Sequence, residues 1–186
     1  YEANIRYLNH LGEVTYFSPL ADTSLPDVGF VYLPGGYPEL YLAALSANRQ
    51  MLQSIRRYVE SGGKLLAECG GMMYLCDEIR DKNGDVYPMA GVLHQSATME
   101  NMKLRLGYRT LLYNETRLKG HEFHYSRLVE QQNPLPSCAV AYTAKGVETD
   151  TPLYHYKNVW AGYTHLYWAD PVGNEWFTKF VIDGNT

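Results

Sequence analysis

Cysteine is scarce in this chain: there are three in 186 residues, at positions 69, 76 and 138. An odd count cannot pair evenly, and no zinc-type C-x-x-C spacing is present, which argues against a disulfide framework and a cysteine-based zinc site. That usage points to a reducing, cytoplasmic setting. Long apolar runs are also missing. None approaches the ~20 residues that a membrane-crossing helix requires. Positive charge is not in excess, since 16 Lys and Arg stand against 20 Asp and Glu for a formal net charge of −4. The chain therefore carries no basic footprint for nucleic acid or an anionic membrane surface. Neither G-x-G-x-x-G nor Gly-Lys-Ser/Thr occurs, so no recognisable motif binds a nucleotide. Internal repeats, low-complexity tracts and linkers are lacking as well. The first residues, Tyr-Glu-Ala-Asn, bring neither an initiator Met nor a signal peptide. The chain is expected to be a piece of something longer.

What is present is a composition that is 46% hydrophobic and 19% charged, which suits one folded domain with a core of real size. Ile5, Leu8 and Leu11 recur at helical spacing over residues 1–11, and Gly12 supplies a stop. Residues 13–17 alternate like a half-buried strand, and residues 18–27 read as a proline-bearing loop. Residues 28–33 form a buried-strand pattern that ends at Pro34-Gly35-Gly36, and Pro38-Glu39 suits a first helical turn. Met51, Leu52, Ile55, Tyr58 and Val59 mark an apolar helical stripe, closed by Ser61-Gly62-Gly63. A strand over 64–68 then runs into Cys69-Gly70-Gly71 and a short helix over 72–76. Asn83-Gly84 signals a hairpin, and further strands are predicted at 91–93, 106–113, 119–125, 140–144 and 159–163, with a closing helix over 175–182. The first half alternates helix and strand as α/β folds with a parallel sheet do, and the second half is richer in strand, which points to antiparallel additions.

Cys69 occupies the strand-to-helix turn of a nucleophile elbow, a sharp bend that holds one side chain up at the carboxyl edge of a sheet. Flanking glycines leave space beside such a strained residue. The following helix terminus is expected to favour thiolate, and the Gly70 N–H is suited to an oxyanion. Gly35 and Gly36 end another strand at the same edge, where open α/β sheets bind ligands, and could offer further backbone donors. A thiol nucleophile needs a base. His165 follows a predicted strand and can meet Cys69 across the edge, while His94 and His155 remain alternatives at this level. His121 and His124 suggest a metal pair, but their spacing sends them to opposite faces of a strand, and no metal is expected. Cys76 and Cys138 read as packing residues.

Five segments occur in order: Pro34-Gly35-Gly36-Tyr37-Pro38-Glu39-Leu40, Glu68-Cys69-Gly70-Gly71-Met72, Leu106-Gly107-Tyr108-Arg109, Gly120-His121-Glu122-Phe123-His124-Tyr125-Ser126 and Tyr163-Thr164-His165. Together they resemble the glutaminase domain of cobyrinic acid a,c-diamide synthases, a class I glutamine amidotransferase family, over essentially the whole chain. The resemblance implies a flavodoxin-like three-layer α/β sandwich with a mainly parallel central sheet and added antiparallel strands. It implies that Cys69 attacks the side-chain amide of glutamine, that His165 serves as base and then acid, and that backbone N–H groups of Gly35, Gly36 and Gly70 hold the oxyanion. It further implies a preceding synthetase domain that uses ATP and magnesium to amidate a corrinoid, no cofactor within this chain, and a homodimer of the full-length enzyme. The elbow departs from the common Gly-x-Cys-x-Gly in having Ala67 at its first position. Tyr167 stands where class I triads usually carry a glutamate, two residues after the base, which leaves Glu122 as a candidate orienting acid. Two other readings fit the same residues. One is a different Cys-nucleophile hydrolase on this plan, and the other is a non-catalytic scaffold.

Overall fold

A computed structural model of the chain describes residues 1–183. Its elements run α1 (Glu2–Leu11), β1 (Phe30–Leu33), a 3-10 turn (Pro38–Leu40), α2 (Leu42–Ala47), α3 (Arg49–Glu60), β2 (Lys64–Glu68), α4 (Gly70–Leu75), β3 (Cys76–Arg80) and β4 (Val86–Pro88). There follow β5 (Leu93–Thr98), β6 (Arg105–Tyr113), β7 (Thr116–His124), β8 (Arg127–Leu128), β9 (Val140–Thr143), β10 (Glu148–Thr149), β11 (Leu153–Tyr156), β12 (Val159–Gly162), β13 (His165–Leu166) and α5 (Pro171–Thr178). A wide helical turn, Lys179–Asp183, closes the described chain.

The central sheet has the order β1-β2-β12-β11, with β1, β2 and β12 parallel and β11 antiparallel at the edge. Both of its faces are buried, and β2 shows how. Its side chains alternate, so Leu65 and Ala67 join a core with Met51, Ile55 and Val59 of α3. Leu66 faces the opposite way into a second core with Trp160, Trp168, Trp176 and Phe177, against which Leu8 and Leu11 of α1 also pack. Helices thus cover the sheet on two sides, which is why its strands read as apolar runs. An antiparallel sheet, β10-β9-β6-β7-β13, and a mixed one, β4-β3-β5-β8, account for the strand-rich second half. The expected α/β class with a parallel centre and antiparallel additions is the fold observed.

Three local expectations change. Residues 13–17 form no strand. An apolar cavity of about 340 Å³, lined among others by Leu8, Val14, Phe17, Val28 and Phe30, lies between this segment and β1. With no neighbouring strand to pair with, alternation alone does not make a β-strand. The closing helix begins at Pro171, four residues earlier than its apolar stripe suggests. Asp170 caps it by accepting from the Gly173 N–H at 2.7 Å, and Pro171 sits in the first turn. The helix after the elbow starts at Gly70, and Cys76 already belongs to β3. The pattern also did not disclose β11, which pairs antiparallel with β12 around Lys157 at φ 49°.

Candidate active site

Cys69 follows directly on the last residue of β2 and caps α4, at φ 52° and ψ −110°. That is backbone an L-residue rarely adopts. Its N–H donates to the Gly162 carbonyl at 2.8 Å, and its own carbonyl accepts from the Met73 N–H at 3.0 Å. Strand end and helix start therefore hold the bend between them. The glycines beside it allow a close approach of the turn that ends β1. A Cβ on Gly70 would lie 2.6 Å from the Gly36 carbonyl oxygen and 2.8 Å from Pro38 Cδ, and one on Gly71 would strike the Leu33 carbonyl. Gly35, on the same turn, is where the His165 ring rests, since a Cβ there would strike Cε1 of that imidazole. One turn, Pro34–Gly36 in sequence, thus meets the His165 ring at one residue and the elbow at the next.

His165 is placed by the short β13, which pairs with β7 so that His165 lies opposite His121. The two imidazoles stack at 4.9 Å with 24° between their planes. Burial, followed by the neighbouring His121 and His124, lowers the His165 pKa to about 4. The ring is neutral at ordinary pH. The Cys69 thiol, 5% exposed, is pushed up to about 12 by burial. The Gly70 N–H opposes that rise, and the carboxylates of Glu39, Glu122 and Glu68 add to it. The expected thiolate is thus corrected to a protonated thiol, because desolvation and three acidic neighbours outweigh one N–H at the end of a six-residue helix. The thiol donates to the Phe123 carbonyl at 3.6 Å and makes no hydrogen bond to His165 among the described residues.

The other candidates are placed elsewhere. His94 is exposed and contacts Asp77 at 3.3 Å, and His155 stacks on Trp160 at 4.0 Å. His121 and His124 do fall on opposite faces of β7, one against His165 and the other buried. Glu122 is 1% exposed and fully engaged. Arg109 Nε donates to it at 2.6 Å and Thr151 Oγ1 at 2.7 Å, His124 Nε2 lies 2.7 Å away, and Arg105 Nε 3.3 Å away. His165 is not among these partners, so within the described residues Glu122 orients His124 rather than His165. Tyr167, at the usual acid position, packs edge-on to Tyr1.

Sequence reasoning missed Glu68. This residue is also 1% exposed, and it accepts from the Tyr32 hydroxyl at 2.5 Å and from the Leu166 N–H at 2.7 Å. Its carboxylate ties β1 to the residue that follows His165. An acidic side chain at the end of an otherwise apolar strand was the signal that could have found it.

The two glycine turns pack closely on each other. Among the described residues no group of three or more His, Cys, Asp or Glu side chains is disposed to hold a metal ion, and no helix is long and apolar enough to cross a membrane.

Residues 1–172 match the CobB/CobQ-like glutamine amidotransferase domain. The chain is 40% identical over 173 residues to a hydrogenobyrinate a,c-diamide synthase of Pseudomonas aeruginosa, covering 90% of this chain and 38% of that protein. It is 39% identical to a cobyrinate a,c-diamide synthase of Fusobacterium nucleatum, with coverage of 90% and 38%. It thus spans about two fifths of the length of these relatives. Among solved structures, a glutamine amidotransferase superposes with a TM-score of 0.60 at 18% identity, over 97% of this chain and 93% of the other. PurLQS from Thermotoga maritima superposes at 0.58, also at 18% identity, over 88% and 80%. These two likenesses bear on the fold alone, whereas the match over 172 of 186 positions bears on descent. The chain belongs to the family of CobB/CobQ-like glutamine amidotransferase domains.

Proposed function

We propose that this chain hydrolyses glutamine to glutamate and ammonia, with Cys69 as nucleophile and His165 as general base and acid. The observation that carries the reading is the shared turn: Gly35 seats the His165 ring while Gly36 abuts the elbow that presents Cys69. Both groups are neutral at rest. The thiol proton passes to the imidazole as sulfur attacks the side-chain carbonyl carbon of glutamine. The developing oxyanion is stabilised by backbone N–H groups of Gly70 and of the Gly35-Gly36 turn. Collapse breaks the C–N bond, the imidazolium gives its proton to the departing nitrogen, and ammonia leaves a glutamyl thioester. Water, deprotonated by the same imidazole, attacks the thioester, and the sulfur recovers its proton as glutamate departs.

The ammonia serves an ATP- and magnesium-dependent amidation of the a and c carboxylates of a cobyrinate-type corrinoid, as a step of cobalamin biosynthesis in the cytoplasm. Support comes from the names of the relatives, which are more than twice as long as this chain. The activating chemistry is assigned to a synthetase domain outside these residues, with the 186-residue glutaminase domain as part of a longer polypeptide that pairs as a homodimer. Glutamate release should be lost, by at least about 100-fold, in Cys69→Ser and His165→Ala. Equal rates in the wild type and both variants would sink the assignment.

One observation favours a second reading. The thiol is hydrogen-bonded to the Phe123 carbonyl and not to the base, as a non-catalytic scaffold of the same fold would allow. Covalent labelling of Cys69 by a glutamine-like electrophile separates the two, since a scaffold leaves the residue inert.

A further inference from the structure

The thiol donates not to His165 but to the backbone carbonyl of Phe123, and that carbonyl is firmly held. The β7–β13 ladder engages only Gly120 and His121, so Phe123 lies beyond its end and its carbonyl is free to meet Cys69 Sγ at 3.6 Å. The residues on either side of it are locked. Glu122 is bound by Arg109, Arg105, Thr151 and His124. His124 stacks on Tyr163 at 3.6 Å with 7° between the planes, and its Nδ1 lies 2.7 Å from the Ser126 carbonyl. Ser126 Oγ in turn contacts the Tyr163 hydroxyl at 2.9 Å and Met73 Sδ, on the elbow's own helix, at 3.3 Å. Side chains i and i+2 of a strand share a face, so Glu122 and His124 grip the backbone from one side at both ends of residue 123. A carbonyl held this way can move little relative to Cys69.

Building on the glutaminase reading above, we propose that the Phe123 carbonyl reads the amide nitrogen of the substrate, and that Glu122 and His124 are positioning residues for it. When sulfur bonds to the side-chain carbon, the nitrogen one bond further on comes within reach of an acceptor placed 3.6 Å from Sγ. The oxyanion donors take the substrate oxygen, which leaves the nitrogen to the carbonyl. A carbonyl oxygen only accepts. It binds the NH₂ of glutamine, offers nothing to an ester oxygen, and opposes the carboxylate of the product glutamate. One N–H held there also turns the nitrogen lone pair toward the proton on His165. The same acceptor thus parks the thiol proton at rest and selects an amide during turnover.

The test compares two substrates in the protein expressed from its complete reading frame. Glutamine presents N–H donors at the scissile bond, and the γ-methyl ester of glutamate presents none. In Glu122→Gln, and in Thr151→Val, which removes a single partner of Glu122 and guards against a variant that fails to fold, kcat/KM for glutamine should fall about tenfold further than kcat/KM for the ester. Inhibition by glutamate should tighten in parallel. Equal losses for both substrates would reduce the clamp to a merely structural role and overturn the proposal, as would an unchanged ratio with unchanged rates. Should the wild type cleave neither substrate, or Cys69→Ser retain both activities, the glutaminase reading itself fails and takes this inference with it. A wild type that cleaves both in a Cys69-dependent way, with a ratio indifferent to the clamp, defeats this inference alone.

Discussion

Glu68 and Glu122 are equally buried, at 1% exposure, and both act on the same thiol, yet their pKa values move in opposite directions. Glu68 has only neutral partners, the Tyr32 hydroxyl and the Leu166 N–H. Desolvation prevails over them and lifts its pKa to about 7. For Glu122 desolvation is overcome by the hydrogen bonds of His124 and Thr151 and by the charge of Arg105, and its pKa falls to about 2. Burial alone does not decide the state of a carboxylate. What decides it is whether cations and donors come with it.

The two residues therefore tilt stability in opposite directions. The Glu68 pKa lies above the ordinary 4.5, so between the two values the native state holds a proton that the unfolded chain has released. Its contribution is fully present below about pH 4.5 and is lost as pH rises through about 7. Glu122, with its pKa below 4.5, stabilises above that pH and loses its contribution as pH falls through about 2.

The largest way to break this comparison is Glu122→Ala, which strands Arg109 and His124 without their acceptor. Unfolding by urea at pH 7 should show a loss of about 3–5 kcal/mol, and a change below about 1 kcal/mol would mean that the buried pair is replaceable. Next comes Glu68→Gln. From pH 4.5 to pH 8 the wild type should lose roughly 3 kcal/mol through this residue, by the ~1.4 kcal/mol per pKa unit of linkage, and the variant should not. Parallel stability curves for the two proteins would show that Glu68 is ionised in both states. Tyr32→Phe is smaller, costing about 1 kcal/mol at pH 8 by removing one of two donors. It should also move the Glu68 transition upward, and a downward move would contradict the role given to that hydroxyl. The smallest effect is on the thiol. Neutralising Glu68 should speed alkylation of Cys69 by iodoacetamide about twofold at pH 9, because one of three carboxylates that raise its pKa is gone. A slower reaction would mean that the variant changed access to the sulfur instead of its charge.

Much of this was legible in the residues. The elbow, the Pro34-Gly35-Gly36 turn and the α3 stripe each carry a local cause, whether a glycine, an apolar period or a turn, and each formed where that cause lay. Residues 13–17 show the limit, since a strand needs a neighbour and alternation does not provide one. The titration states were further out of reach. Nothing in Glu68-Cys69-Gly70 tells that Tyr32 and Leu166 close over the carboxylate, or that Glu39 and Glu122 come near the sulfur. Glu122 and His124 stood out in Gly120-His121-Glu122-Phe123-His124 as chemistry-bearing side chains, but their locked neighbour, a backbone carbonyl, leaves no mark in a sequence.

The positive φ of Cys69 sets the preference of the backbone against the packing of the side chain. At φ 52° and ψ −110° a glycine would rest more easily than any residue with a side chain, by about 1 kcal/mol. The cysteine therefore sits here against the preference of the backbone. Glycine there would relieve the backbone but would also empty the core space that the buried thiol fills, so the two effects oppose each other.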